Sequence, residues 1–402
     1  MDDYGKYFLT DNPFPRDPSV NPFDPDKRNN GSIFNVEIRQ RELQELRAKI
    51  ESKLIMVYLR ASFKVKGMGK SAIAVQEWKR VQGLSDVTSV YLDARSRGPQ
   101  EFCEGIVRAW HDAGYLWNAV KDILQTYATG ESAPAIEQDV VEDIARSSPS
   151  MPTAIDLRRY IYKGSVSSAI KKVAEWTVRN TPNVLQEVAE SFFETYLSRP
   201  PEFPRVHSAL RRKMRGYDEI DCFRSMLQLL RNTRYRHHYV FLDSFEEPIV
   251  SKGRKELREF CSDMRRVLEA GTGYLTVVVT LHLDANTRLR TQSECFPLTE
   301  IAPNDPRYVV DIERLDADRS AKLAVTYLDH FRGNYSPPHS LYPFRTDAIT
   351  LIHNEADGNT RRILRMLCFA IDEGRKKGFP EITEDFIKER HEDIVGKVPS
   401  EA

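Results

Sequence analysis

Lys70 and Ser71 close the stretch Lys64-Val65-Lys66-Gly67-Met68-Gly69-Lys70-Ser71, and an ammonium beside a hydroxyl, behind glycines, is chemistry for phosphate. The lysine can reach the β- and γ-phosphates of a nucleoside triphosphate, and the Ser71 hydroxyl can ligate the accompanying Mg²⁺. Loop N–H groups at a helix N-terminus can cradle the phosphate oxygens, so Gly67, Met68 and Gly69 join the candidate binding residues. The stretch lies between an apolar run, Leu54 to Leu59, and a helix expected over Ser71 to Val81. The full phosphate-loop pattern asks for glycine at position 64, where this chain has lysine. Lys64 either restricts the turn or adds a phosphate contact. The plain alternative is a surface loop that happens to contain Gly-Met-Gly-Lys-Ser.

A second candidate ends the run Tyr239 to Asp243. A carboxylate closing an apolar strand lies at the sheet's C-terminal edge, where open α/β folds bind ligands. There Asp243 would hold Mg²⁺ opposite Ser71, directly or through water. Ser244 follows, and then Glu246 and Glu247. Either glutamate serves as the base for an attacking water if the chain turns back toward the phosphates; otherwise both face solvent. The third candidate is Gly358-Asn359-Thr360-Arg361, which opens a helix with Ile363, Leu367 and Ile371 on one side. Arg361 in its first turn can project toward a γ-phosphate and couple ligand state to domain angle.

The elements that must position these residues alternate. Strands are expected at Leu54–Leu59, Ser89–Asp93, Tyr239–Leu242, Tyr274–Leu281 and Val309–Ile312, with helices at 37–50, 99–113 and 318–331. Buried parallel strands read as continuous apolar runs, so this order predicts an α/β fold: a parallel sheet with helices on both faces. The 145 residues between Asp93 and Tyr239 exceed any single crossover and read as an inserted helical region. It spans 115–215, with helices at 154–162, 166–179 and 184–197. Arg158, Arg159, Lys163, Lys171, Lys172, Arg211, Arg212, Lys213 and Arg215 gather there, as solvated faces or as a surface for phosphate backbone or a partner. Residues 346–395 carry three further helical segments. The expected units are an arm over 1–35, an α/β domain over 36–114 and 216–315, the insert, and a helical lid over 316–402. The arm holds five of the 22 prolines, and Asn12-Pro13-Phe14 recurs as Asn21-Pro22-Phe23; both phenylalanines are expected to anchor it on a neighbouring surface.

Lys+Arg and Asp+Glu both number 59, so net charge argues for no partner. Five scattered cysteines form no CxxC pair, which disfavours a metal site or disulfide framework. No run approaches the roughly 20 apolar residues needed to span a bilayer. The N-terminus lacks a basic-then-apolar leader, so a soluble, cytoplasmic protein is expected.

The glycine-containing loop, the strand ending at Asp243 and the Gly-Asn-Thr-Arg helix start together resemble the AAA+ ATPases. The nearest branch is the origin-recognition/initiator-like one, with transposition regulators and defence ATPases. The resemblance covers about residues 36–114 and 217–390. It implies ATP and Mg²⁺ as ligands, a homo-oligomer with ATP at subunit interfaces, and a polar sensor on the fourth strand, for which Thr280 fits best and His282 next. It also implies an arginine finger, with Arg288 and Arg290 as candidates and Arg290 preferred. Thr383 should cap a lid helix whose first turn holds Glu384 and Asp385. Three departures stand out: Lys64, Ser244 where the family often has glutamate, and a chain ending at Ala402 without the winged-helix domain usual in initiators.

The preferred reading is an ATPase switch, slow or partner-activated, whose nucleotide state controls assembly and engagement of DNA or a protein partner. The competing reading is a degenerate AAA+ scaffold that works as a protein-interaction module through its insert and arm. A kinase is disfavoured, because no acceptor-site pattern is visible.

Overall fold

Continuous runs of β-branched and aromatic residues need cover on both faces, and five such strands form the centre of the chain. The computed structural model describes residues 4–61, 66–95, 97–130, 166–198, 218–332 and 339–399. The strands are β1 (Met56–Ala61), β2 (Val87–Asp93), β3 (His237–Asp243), β4 (Leu275–Leu281) and β5 (Val309–Ile312). All pair in parallel, in the order β2-β3-β4-β1-β5, so the expected α/β parallel sheet is present.

Side chains alternate between faces along each strand, and the burial pattern separates them into two cores. Val57, Leu59, Phe241, Val278 and Val310 pack under α1 (Gln40–Glu51) and α2 (Lys70–Gln82). Met56, Tyr58, Val240, Val277 and Val279 face the opposite way, toward α3 (Pro99–Asp112), α4 (Tyr115–Gly130), α5 (Val166–Asn180), α6 (Gln186–Ser198) and α7 (Glu219–Arg231). The helices between β2 and β3 therefore share one continuous core with the sheet, through Trp110, Phe192, Tyr196 and Phe223. The expected helix at 154–162 and the basic residues Arg158, Arg159, Lys163, Arg211, Arg212, Lys213 and Arg215 lie outside the described residues. Lys171 and Lys172 are exposed on α5.

Two strand boundaries differ from the sequence reading for physical reasons. β1 starts two residues late and runs through Arg60, whose guanidinium meets Asp311 of β5 at 2.6 and 2.7 Å. β3 begins at His237 rather than Tyr239, because each histidine finds a threonine on a neighbouring strand. His238 Nδ1 lies 2.9 Å from the Thr88 hydroxyl, and His237 Nε2 lies 2.9 Å from that of Thr276.

After β3 come α8 (Glu246–Ser251) and α9 (Arg254–Ala270); after β4 come α10 (Leu283–Thr291) and α11 (Phe296–Ile301). The C-terminal helices α12 (Ala317–Phe331), α13 (Thr346–Ala356), α14 (Thr360–Lys377), α15 (Glu384–Glu389) and α16 (His391–Ile394) form a third core. Thr383 accepts the Phe386 N–H at 3.2 Å and caps α15 as expected. Into this core the arm inserts Tyr7, Leu9 and Phe14; burying an aromatic of this size is worth about 1.5–3 kcal/mol. Phe23 corrects the expectation of two anchors. It is 68% exposed and only touches Trp78 edge-on, because the lid core receives the first Asn-Pro-Phe and not the second.

Candidate phosphate-binding site

The loop after β1 turns through two glycines in the left-handed region, Gly67 (φ 91°) and Gly69 (φ 93°), which only glycine enters without steric cost. Three successive loop carbonyls are occupied by other parts of the chain. Asn359 Nδ2 donates to Lys66 O at 2.7 Å, the Arg361 N–H to Gly67 O at 3.0 Å, and Arg39 Nη2 to Met68 O at 2.7 Å. Asn359 also caps α14, its Oδ1 accepting the N–H groups of Arg361 and Arg362 at 3.0 and 3.1 Å. Among the described residues, none of the N–H groups of Gly67 through Ser71 has an acceptor. A run of unsatisfied donors opening a helix is an anion cradle.

Lys70 stands at the start of that helix and is 8% exposed. Its ammonium makes no ion pair among the described residues. Burial holds its pKa below the ordinary lysine value, against the pull of Glu246 and Asp243, and Arg361 and Lys66 lower it further. Glu246 is equally buried, its carboxyl pushed up by burial and drawn back by Lys70. One of its oxygens, Oε2, has no hydrogen-bond partner among the described residues. A buried charge without a direct counter-charge is costly, and an anion bound in the cradle would relieve the lysine.

Asp243 gathers hydroxyls. It accepts from Ser71 at 3.0 Å and Thr280 at 2.7 Å on Oδ1, and from Tyr91 at 2.9 Å on Oδ2. Sheet order explains this convergence: β4 lies between β3 and β1, and Leu242 pairs with Val279, so Asp243 and Thr280 follow side by side at the strand ends. Burial and the Asp243 charge push the Tyr91 pKa well up, which keeps its hydroxyl a donor. Ser244 then takes a left-handed φ of 57°, and its N–H donates to Thr280 Oγ1 at 2.8 Å. This turn redirects the chain so that Glu246 comes back beside Lys70, whereas Glu247 remains half-exposed 3.7 Å from Lys66. Among the described residues no cluster of three or more His, Cys, Asp or Glu is arranged for a metal. Ser71, Thr280 and a single carboxylate suit Mg²⁺ that brings most of its ligands as phosphate and water.

These residues line a cavity of about 290 Å³. One half is the loop with Lys70, Ser71, Asp243, Glu246, Thr280 and Arg361; the other is apolar, built by Val20, Ile33 and Phe34 of the arm, Ile38 of the turn before α1, and Leu323 and Tyr327 of the lid. A charged end and an apolar end in one cleft match the two halves of a nucleotide. Arg361 lines the cleft, but its Nε donates to Pro18 O of the arm at 3.0 Å. His282 lies outside the lining, and its Nδ1 has no partner among the described residues. Arg288 is committed to the carbonyls of Val250 and Lys252 and to Gln292, whereas Arg290 is exposed on α10 away from the cavity. Lys64 lies outside the described residues. Arg39, Tyr91 and Pro18 were not legible as site residues; only the Arg39-to-Glu42 spacing, an i,i+3 pair at 2.9 Å, left a trace in the sequence.

Loop, carboxylate and hydroxyls at the C-terminal edge of a parallel sheet define a phosphate-loop α/β arrangement with a helical lid. No family model and no curated protein matches the chain. Among solved structures, it is similar to the ORC2 protein of Aeropyrum pernix, described in ADPNP–ADP complexes: 12% identity, TM-score 0.46, covering 99% of this chain and 72% of that one. Cdc6p from Pyrobaculum aerophilum follows at 12% identity and TM-score 0.45, with 93% and 70% covered. The Walker-type ATPase paby2304 of Pyrococcus abyssi stands at 11% identity and TM-score 0.33, with 85% and 68% covered. No helix among the described residues is long and apolar enough to cross a membrane.

Proposed function

We propose that this chain is an ATP-binding switch of the AAA+ class, in which nucleotide at the cleft sets the relation between the α/β sheet and the helical lid. The observation that carries the reading is Lys70, a buried ammonium that has no ion pair among the described residues, set behind a row of N–H groups that have no acceptors there. In this reading Gly67 to Ser71 hold the phosphates and Ser71 and Asp243 hold Mg²⁺, which neutralises charge on the phosphate oxygens. Thr280 orients Asp243, and the apolar half of the cleft takes the base. Glu246, buried and with its proton affinity raised, is the group suited to draw a proton from water; Glu247 is not. Arg361 reads the occupied cleft by leaving Pro18 O for the ligand. Exposed Arg290 is the candidate to reach a neighbouring subunit, and assembly would then govern engagement of DNA or a protein partner.

The test is Lys70→Ala, with ATP binding measured by calorimetry and the fold by circular dichroism. Binding should vanish while the ligand-free fold is kept, since the substitution removes a buried unpaired charge. Unchanged affinity would overturn the reading. Phosphate release by the parent, absent with or without DNA at saturating ATP, would leave binding intact and assign the chain to a non-hydrolysing scaffold.

A further inference from the structure

Arg39 ends the short 3₁₀ turn Val36–Arg39 ahead of α1 and is 4% exposed. Its guanidinium reaches four acceptors in four parts of the chain. Nη2 donates to Met68 O at 2.7 Å and to Thr360 Oγ1 at 3.2 Å; Nη1 donates to Glu42 Oε1 at 2.9 Å and to Glu313 O at 2.7 Å. We propose that Arg39 is a positioning residue for the nucleotide site, orienting the phosphate loop through the Met68 carbonyl and tying that loop to the first turn of the lid helix. The inference rests on the nucleotide reading above and adds to it the element that carries ligand state to the lid.

Three consecutive lid residues meet three consecutive loop carbonyls. Asn359 takes Lys66 O and Arg361 takes Gly67 O directly; Thr360 reaches Met68 O only through Arg39. The two direct bonds hold the loop edge, and the guanidinium completes the row. Its planar fork can serve two acceptors from a single Nη and two more from the other, which a lysine ammonium in the same space does not reproduce. Because the group is buried, a loop movement that withdraws Met68 O leaves a charged donor short of an acceptor. That cost is lowered only if Thr360, and with it the lid, moves as well. Coupling of this kind is reciprocal: a ligand that fixes the loop also fixes the lid. Gly69 is required by its own left-handed φ of 93° rather than by the guanidinium, from which a Cβ would lie in ordinary contact at 3.6 Å.

The test compares the parent with Arg39→Lys and with the double variant Arg39→Met/Glu42→Gln, which leaves no buried carboxylate unpaired. Amide hydrogen exchange is followed at 67–71 and 360–364, without ligand and with ATP, beside ATP affinity. Without ligand, 360–364 should exchange faster in the variants together with the Ile73 amide, which donates to Gly69 O at 3.1 Å. The 67–71 amides lack acceptors among the described residues and are read only with ATP. ATP affinity should fall between about tenfold and a hundredfold, the worth of one hydrogen bond to a charged group. ATP should protect both segments in the parent and the loop alone in the variants, a split that mere loss of stability does not produce. Parent-like affinity, within twofold, with both segments still protected together would overturn the proposal. If the parent itself binds no nucleotide, the nucleotide reading fails, yet the ligand-free exchange still decides whether Arg39 ties loop to lid.

Discussion

The Thr280 hydroxyl donates to Asp243 Oδ1 at 2.7 Å and accepts the Ser244 N–H at 2.8 Å. One side chain on β4 thus fixes both the carboxylate that ends β3 and the left-handed turn that follows it. Thr280→Val keeps the shape and removes both bonds. The expected result is a loss of about 1–3 kcal/mol of stability, because the part-buried Ser244 N–H is left unpaired and Asp243 Oδ1 keeps only Ser71. Mg-ATP affinity should fall about tenfold while affinity in EDTA hardly changes, because the damage is to the carboxylate proposed to hold the metal. Equal losses with and without Mg²⁺ would show that Thr280 acts on the fold alone.

Glu246 and Glu247 are adjacent in sequence and opposite in environment. Glu246→Gln should slow any phosphate release by roughly a hundredfold or more, the usual worth of a positioned base, with ATP affinity retained. Glu247→Gln, which loses only a half-exposed pair with Lys66, should leave turnover unchanged. The reverse ranking would remove Glu246 from the role of base proposed for it.

Arg361→Ala should bind ATP within several-fold of the parent and fail to change its assembly state with nucleotide. Light scattering without nucleotide, with ADP and with a non-hydrolysable ATP analogue reads this directly. Superimposable assembly curves for variant and parent would remove Arg361 from the switch.

Acid should loosen the sheet at the end of β3 remote from Asp243. Burial lowers the pKa of His237 to about 4 and that of His238 to about 3, against about 6.5 in an unfolded chain. Above pH 6.5 both forms are neutral and the folded state keeps its full stability. Below it the unfolded chain takes up protons that the folded one refuses, so stability falls until pH reaches about 4 for His237 and about 3 for His238. Each histidine adds up to roughly 1.4 kcal/mol per pH unit to that slope. Urea unfolding from pH 8 to 4 checks it. The His237→Gln/His238→Gln variant should show the shallower dependence over pH 6.5 to 4, and an equal slope would refute the assignment.

Lys70 and Ser71 were legible from the glycine-containing loop and Asp243 from the apolar run it closes, since the ends of parallel strands lie together whatever fills the space between. Thr280 came only through the family resemblance. Residues that connect distant segments carried no such mark. Arg39 meets Thr360 across 321 positions and Arg361 meets Pro18 across 343, distances at which periodicity says nothing. Identical tripeptides misled for the same reason: Phe14 and Phe23 differ only in whether the lid lies beneath them. The histidines opening β3 broke the apolar pattern, and only the threonines on β2 and β4 account for their burial.

The arm is held to α14 by Arg16 to Asp372 at 2.8 Å and Arg365 to Asp17 at 2.7 Å, and to α2 by Gln76 to Gly31 O at 2.5 Å. During synthesis the arm leaves the ribosome hundreds of positions ahead of the helix that receives it. The sheet can assemble as its strands appear, but the cleft acquires its apolar wall only once residue 372 has emerged. Ribosome-bound chains halted before α14 should therefore carry a protease-sensitive arm and lack the apolar wall that the proposed nucleotide site needs, so that the cleft closes only after the sheet has formed.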